Sequence, residues 1–122
     1  MLEIHIHEIA QDRQRYPTSG DWVFDPSGAL QVNVSVDPTD NEHQAFLTAL
    51  HELVEAYLCK ARGITTQMVD DFDMGKQEFF AEYGGEPGDD PESPYRKEHR
   101  FACIVEHMVA HELVIVGYGK VE

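Results

Sequence analysis

Hydrophobic and polar positions alternate strictly at the start of the chain. Leu2, Ile4 and Ile6 interleave with Glu3, His5 and His7. That period of two predicts a half-buried strand with both histidines on its polar face. The stretch "DWVFDPSGALQVNVSV", residues 21–36, holds two further short strand patterns around the turn sequence "DPSG". The expectation is a small antiparallel sheet of about three strands.

The period then lengthens. In "DPTDNE", Asp37 or Thr39 can cap a helix, and Asp40 and Glu42 suit its positive end. Phe46, Leu50, Leu53, Val54, Tyr57, Leu58 and Ala61 follow at spacings of three and four, and Gly63 ends the helix. Residues 65–83 read as one or two shorter helical pieces broken near Gly75. Residues 84–94, "GGEPGDDPESP", form an acidic loop too rich in Gly and Pro to bury much. It is expected to be mobile, and without calcium-loop spacing it is assigned no site. A last helix is expected from Tyr95 to His111, carrying Phe101, Ile104, Val105, Met108 and Val109. The tail "LVIVGYGKVE" fits an added strand or a surface segment. The expected class is α+β: one domain over residues 1–122, its sheet packed on two main helices.

Composition narrows the possible roles. With 122 residues and 42% hydrophobic content the chain can form one core without disulfides. No apolar run reaches the ~18 residues of a membrane span, and the acidic N-terminus does not fit a signal peptide. The expected location is cytoplasmic, with Cys59 and Cys103 reduced. A net charge of −14 speaks against nucleic acid and anionic membranes, because phosphate contacts need clustered Lys and Arg. The same field attracts cations, metals included.

The chemistry concentrates in "TALHELVEAYL". On a helix, His51 and Glu55 are four apart and share a face, beside Leu47, Val54 and Leu58. The last helix offers a matching shoulder, since His99 and Glu106 differ by only ~20° around its axis. If the two helices pack through their apolar sides, His51, Glu55 and His99 form a set of two imidazoles and one carboxylate. That set is typical of catalytic zinc. Glu106 could then accept the proton of a ligand histidine's other nitrogen. Glu52 could act as general base toward water. Tyr95, one turn before His99, is a candidate donor to a developing oxyanion, although an aromatic there more often packs.

"HELVE" on a helix, preceded by the strand "LQVNVSV", resembles the zincin superfamily of metallopeptidases with their H-E-x-x-H helix. The resemblance implies that His51 is the first ligand and Glu52 the general base. Position 55 holds Glu where that pattern has His. "PYRKEHRFACIVE", residues 94–106, is similar to the second helix of small zincin-like H-E-x-x-E proteins of phage or prophage type. That likeness implies His99 as third ligand and Glu106 as its support, over roughly residues 29–60 and 94–107. Two functions remain open: a zinc hydrolase acting on a peptide or related amide, and a non-catalytic metal-binding or protein-interaction protein.

Other arrangements carry less. His107 and His111 have metal spacing but lie on the far side of the last helix from His99. A di-metal carboxylate site from Glu52, Glu55, Glu98, His99 and Glu106 lacks the paired E-x-x-H motifs of such bundles. His5 and His7 read as strand surface residues, and His43 is assigned no role. Serine and cysteine hydrolase patterns are absent from the sequence.

Overall fold

The computed structural model describes residues 1–113. The candidate tail strand lies beyond Leu113, outside the described residues. Three strands, β1 (Ile4–Ile9), β2 (Gly20–Phe24) and β3 (Leu30–Ser35), precede four helices: α1 (Glu42–Ala61), α2 (Thr66–Gly75), α3 (Gln77–Tyr83) and α4 (Arg96–Glu112). No helix among the described residues is long and apolar enough to cross a membrane.

The α+β class holds, and so does a small sheet packed on helices. The sheet is mixed rather than antiparallel. β3 is central; β2 pairs with it antiparallel through the "DPSG" turn, and β1 pairs with it parallel. The cause lies in residues 10–19. They carry the chain from one edge of the sheet to the other instead of turning back on β1. Gln14 fastens this crossing by donating to the Asn33 carbonyl and to Ser35 Oγ, both at 3.1 Å. Arg15 then bridges Asp21 on β2 and Asp70 on α2, at 2.8 Å each.

Helix α1 starts later than the turn residues suggest. Asn41 is the cap and accepts from the amides of His43 and Gln44. Asp37 is occupied one step earlier, accepting from the amides of Thr39 and Asn41 and from the Thr39 hydroxyl. At the other end Gly63, with φ 76°, takes the left-handed position, and the Ile64 amide reaches back to the Cys59 carbonyl at 2.8 Å. The polypeptide between α1 and α4 breaks after Gly75, close to the expected place.

Helix α1 lies over β2 and β3 on one face and against α4 on the other. Its sheet-facing side is small: Ala49, Ala56 and Cys59 are buried against Trp22, Leu30, Val32 and Val34. Small side chains let helix and sheet approach closely. The large apolar residues expected to form the stripe sit partly outside this seam, with Phe46 and Tyr57 exposed. β1 also departs from its half-buried pattern. Ile4 and Ile6 are exposed, because the helix covers the other two strands.

Candidate metal centre

Packing of α1 on α4 brings the expected donors together. His51 Nε2 lies 3.1 Å from Glu55 Oε2 and 3.2 Å from His99 Nδ1, and His99 Nδ1 lies 2.9 Å from the same Glu55 oxygen. The three atoms form a nearly equilateral triangle. Tetrahedral zinc with bonds of ~2.0–2.1 Å has ligand-to-ligand edges of about 3.3 Å. The triangle is therefore within a few tenths of an ångström of a metal-binding face. The donor chemistry points the same way. Two imidazole nitrogens face one carboxylate oxygen and each other, and one shared cation satisfies all three at once. All three residues are buried, with His51 7%, Glu55 4% and His99 4% exposed.

Each donor is held from behind. His51 Nδ1 donates to Glu106 Oε1 at 2.8 Å, which fixes the tautomer that turns Nε2 inward. Trp22 Nε1 donates to Glu55 Oε1 at 3.0 Å, leaving Oε2 for the triangle. Behind His99, Asp89 Oδ1 lies 3.3 Å from Nε2 and Cys103 Sγ lies 3.5 Å from it. Gly88 packs flat on the ring: a Cβ there would fall 2.3 Å from His99 Cγ. The acidic loop is thus part of the site. Its short turn Pro87–Asp89 is built with Gly88 buried, although the loop's composition predicts little burial.

Glu52 sits at the edge of the triangle, with Oε2 3.9 Å from His51 Nε2. Burial and the nearby charge of Glu55 push its carboxyl well above the usual range, which suits a group that must accept a proton. Burial alone would raise Glu55 too, but hydrogen bonds from His51 and His99 hold it down at about 2. Burial disfavours a charged His99, yet its bonds to Cys103 and Glu55 lift it to about 10. Against burial, the hydrogen bonds from Cys103 and the surrounding carboxylates raise both imidazoles above the ordinary histidine value.

Some expectations do not fit. Tyr95 is 3% exposed, and its hydroxyl donates to Asp73 Oδ1 at 2.7 Å. That proton is committed, so Tyr95 shapes the wall of the cavity instead of serving as an oxyanion donor. Glu98 is buried but pairs with Arg62 at 2.8 Å, away from the triangle, which removes it from any two-metal arrangement. His111 is exposed, and neither it nor His107 joins the donors.

Sequence reading missed Trp22, Asp73, Gly88, Asp89 and Cys103. Among the described residues, overlapping groups capable of holding a metal include His51 with His99 and Cys103, His51 with Glu52 and Glu55, and His99 with Glu86 and Asp89. Asp89 and Cys103 approach Nε2 of His99, the nitrogen turned away from the triangle, and Cys103 also lies close enough to His51 to offer an alternative donor beside the two histidines. A cavity of about 330 Å³ opens beside His51, Glu52 and Glu55, reaching to β2, α2 and the Gly85–Gly88 turn. No protein-family model, curated protein or solved structure matches the chain.

Proposed function

We propose that the chain is a zinc-dependent hydrolase of a peptide or related amide bond, of zincin-like type. The observation that carries this reading is the triangle of His51 Nε2, Glu55 Oε2 and His99 Nδ1, with edges of 2.9 to 3.2 Å, beside the Glu52 carboxylate, whose Oε2 lies 3.9 Å from His51 Nε2. His51, Glu55 and His99 would hold the zinc, which when bound would supply a Lewis acid for the scissile carbonyl and lower the pKa of water toward ~7. Glu52 would accept the proton that water gives up as its oxygen bonds to the carbonyl carbon, and would return it to the amine nitrogen as the C–N bond breaks. Glu106 keeps His51 in the required tautomer, and Trp22 keeps Glu55 from rotating its inner oxygen away. The adjoining cavity gives the substrate an approach and shields the reaction from bulk water.

The test is metal analysis of protein purified without chelator, followed by peptide cleavage assays. One zinc per chain is expected, lost in His51→Ala and His99→Ala. Glu52→Gln should keep fold and metal while reducing turnover by about 10²–10⁴-fold. Wild-type protein without bound metal, or with the same metal content after both histidine changes, would sink the reading. Protein that holds zinc but cleaves nothing would instead be a metal-stabilised binding protein.

A further inference from the structure

Carboxylates outnumber basic groups in the cavity beside the triangle, where His51 and His99 are the basic side chains. Asp21, Glu52, Glu55, Asp73 and Glu86 line it, and among the described residues no Lys or Arg does. Two of these carboxylates already have answering groups. Asp21 is met by Arg15 from outside the cavity, and Glu55 by the two histidines. Asp73 accepts only from neutral phenols, Tyr95 at 2.7 Å and Tyr16 at 3.2 Å. Glu86 stands at the exposed rim, where its Oε2 makes a long ion pair with His99 Nε2 at 3.9 Å. Between these carboxylates the wall is aromatic, with Tyr16, Trp22 and Phe80. Ring faces and carboxylates together are the surroundings that favour a cation over a neutral or anionic group. The net charge of −14 extends the same preference outward.

We propose that this cavity receives the positively charged end of the substrate, an ammonium or guanidinium group, with Asp73 and Glu86 as the receiving carboxylates and Tyr16 and Phe80 as its walls. The inference rests on the hydrolase reading for its role in catalysis; the binding preference itself does not need turnover. The cation can come from a basic side chain or from a free α-amine. A volume of about 330 Å³ is at the small end for ligand pockets, enough for one such side chain or a terminal residue.

The experiment is calorimetric titration of the zinc-loaded Glu52→Gln protein, and in parallel of metal-free wild type, with four peptides. Acetyl-Ala-Lys-Ala-amide has only a side-chain cation, and Ala-norleucine-Ala-amide only an α-amine. Acetyl-Ala-norleucine-Ala-amide has no charge, and acetyl-Ala-Glu-Ala-amide has a negative one. At low salt one cationic peptide should bind roughly tenfold tighter than the neutral one, the acidic one weakest, with the gap narrowing as salt rises. Whichever cationic peptide wins identifies the source of the charge. Glu86→Gln, an exposed position that does not endanger folding, should shrink the preference several-fold, and Asp73→Asn should shrink it further. Neutral or acidic peptides binding as well as cationic ones would overturn the proposal. So would a preference untouched by both substitutions. Absence of zinc would sink the hydrolase reading alone, since the metal-free titration still reports charge preference.

Discussion

Trp22 on β2 and Ile6 on β1 pair with the same residue, Val32 of β3, one on each side of it. Both point to the face of the sheet that carries α1, yet Trp22 is 4% exposed and Ile6 is 53% exposed. The strands are alike in apolar alternation. What differs is the layer above. On the β2 side, α1, α2 and the Gly88 turn close over the strand and leave a cavity. On the β1 side the described residues place no such cover. Edge strands usually need protection from foreign pairing. Here β2 has been recruited to the site: Trp22 anchors Glu55, and Gly20 lets α1 come so close that a Cβ would meet Glu52 Cγ and Thr48 Cγ2, each at 2.8 Å.

The contrast can be broken most severely at those two Val32 partners. Trp22→Ala should destabilise by about 3–5 kcal/mol, because it empties the core and leaves Glu55 Oε1 without its donor. Ile6→Ala should stay within about 0.5 kcal/mol. Urea unfolding of both variants measures this, and equal losses would show that β1 is covered as well as β2. Trp22→Phe sharpens the point. It keeps most of the packing but removes the indole donor, so zinc affinity should fall by about 10–100-fold while the fold survives.

Glycines give the next largest effect. Gly88→Ala places a methyl group inside the His99 ring position, so ring or loop must move. The expected result is about 1–3 kcal/mol of lost stability and at least about a tenfold loss of metal affinity. Gly28 in the β2–β3 turn has φ 91° and open space around it. Alanine there should lower stability by about 1 kcal/mol through backbone strain alone and leave metal binding unchanged. If both substitutions weakened zinc binding equally, the close fit of Gly88 on His99 would have no bearing on the site.

The helices, their break near Gly75 and the convergence of His51, Glu55, His99 and Glu106 were legible because each follows from spacing on one helix plus a single assumption, that α1 and α4 pack. The direction of β1 was not, since a strand's alternation is the same whether its partner runs parallel or antiparallel. The apolar face of α1 was misread for a related reason. Size suggested that Phe46 and Tyr57 face inward, whereas close packing on the sheet selects Ala49 and Ala56. Trp22, Asp73, Gly88 and Asp89 join the site through tertiary contact alone. Only Gly88, a glycine between prolines and acids just ahead of "EH", carried a local hint.

The smallest effect separates two aspartates by pH. Burial lifts the Asp73 carboxyl from 3.8 to about 6, against hydrogen bonds from Tyr95 and Tyr16 and with help from the charges of Glu55 and Asp70. Asp25, in the β2–β3 turn, moves the other way, to about 2, through bonds from Ser27, Gln31 and the backbone. For Asp73 the folded state holds the proton more tightly than the unfolded chain does. Its contribution is therefore intact below about pH 3.8 and is lost as pH rises through 6, a swing of roughly 2 kcal/mol between pH 4 and 7.5. Asp25 acts with the opposite sign: its contribution is present above the unfolded value and disappears only as pH falls toward 2. Asp73→Asn does not titrate, so the stability gap between wild type and this variant should drift against wild type across that range, measured by urea unfolding at each pH. Asp25→Asn should show no such drift above pH 5. Parallel curves for wild type and Asp73→Asn would mean that Asp73 is already well solvated or charge-compensated, and the cavity would then have no unmet charge for a cationic substrate to answer.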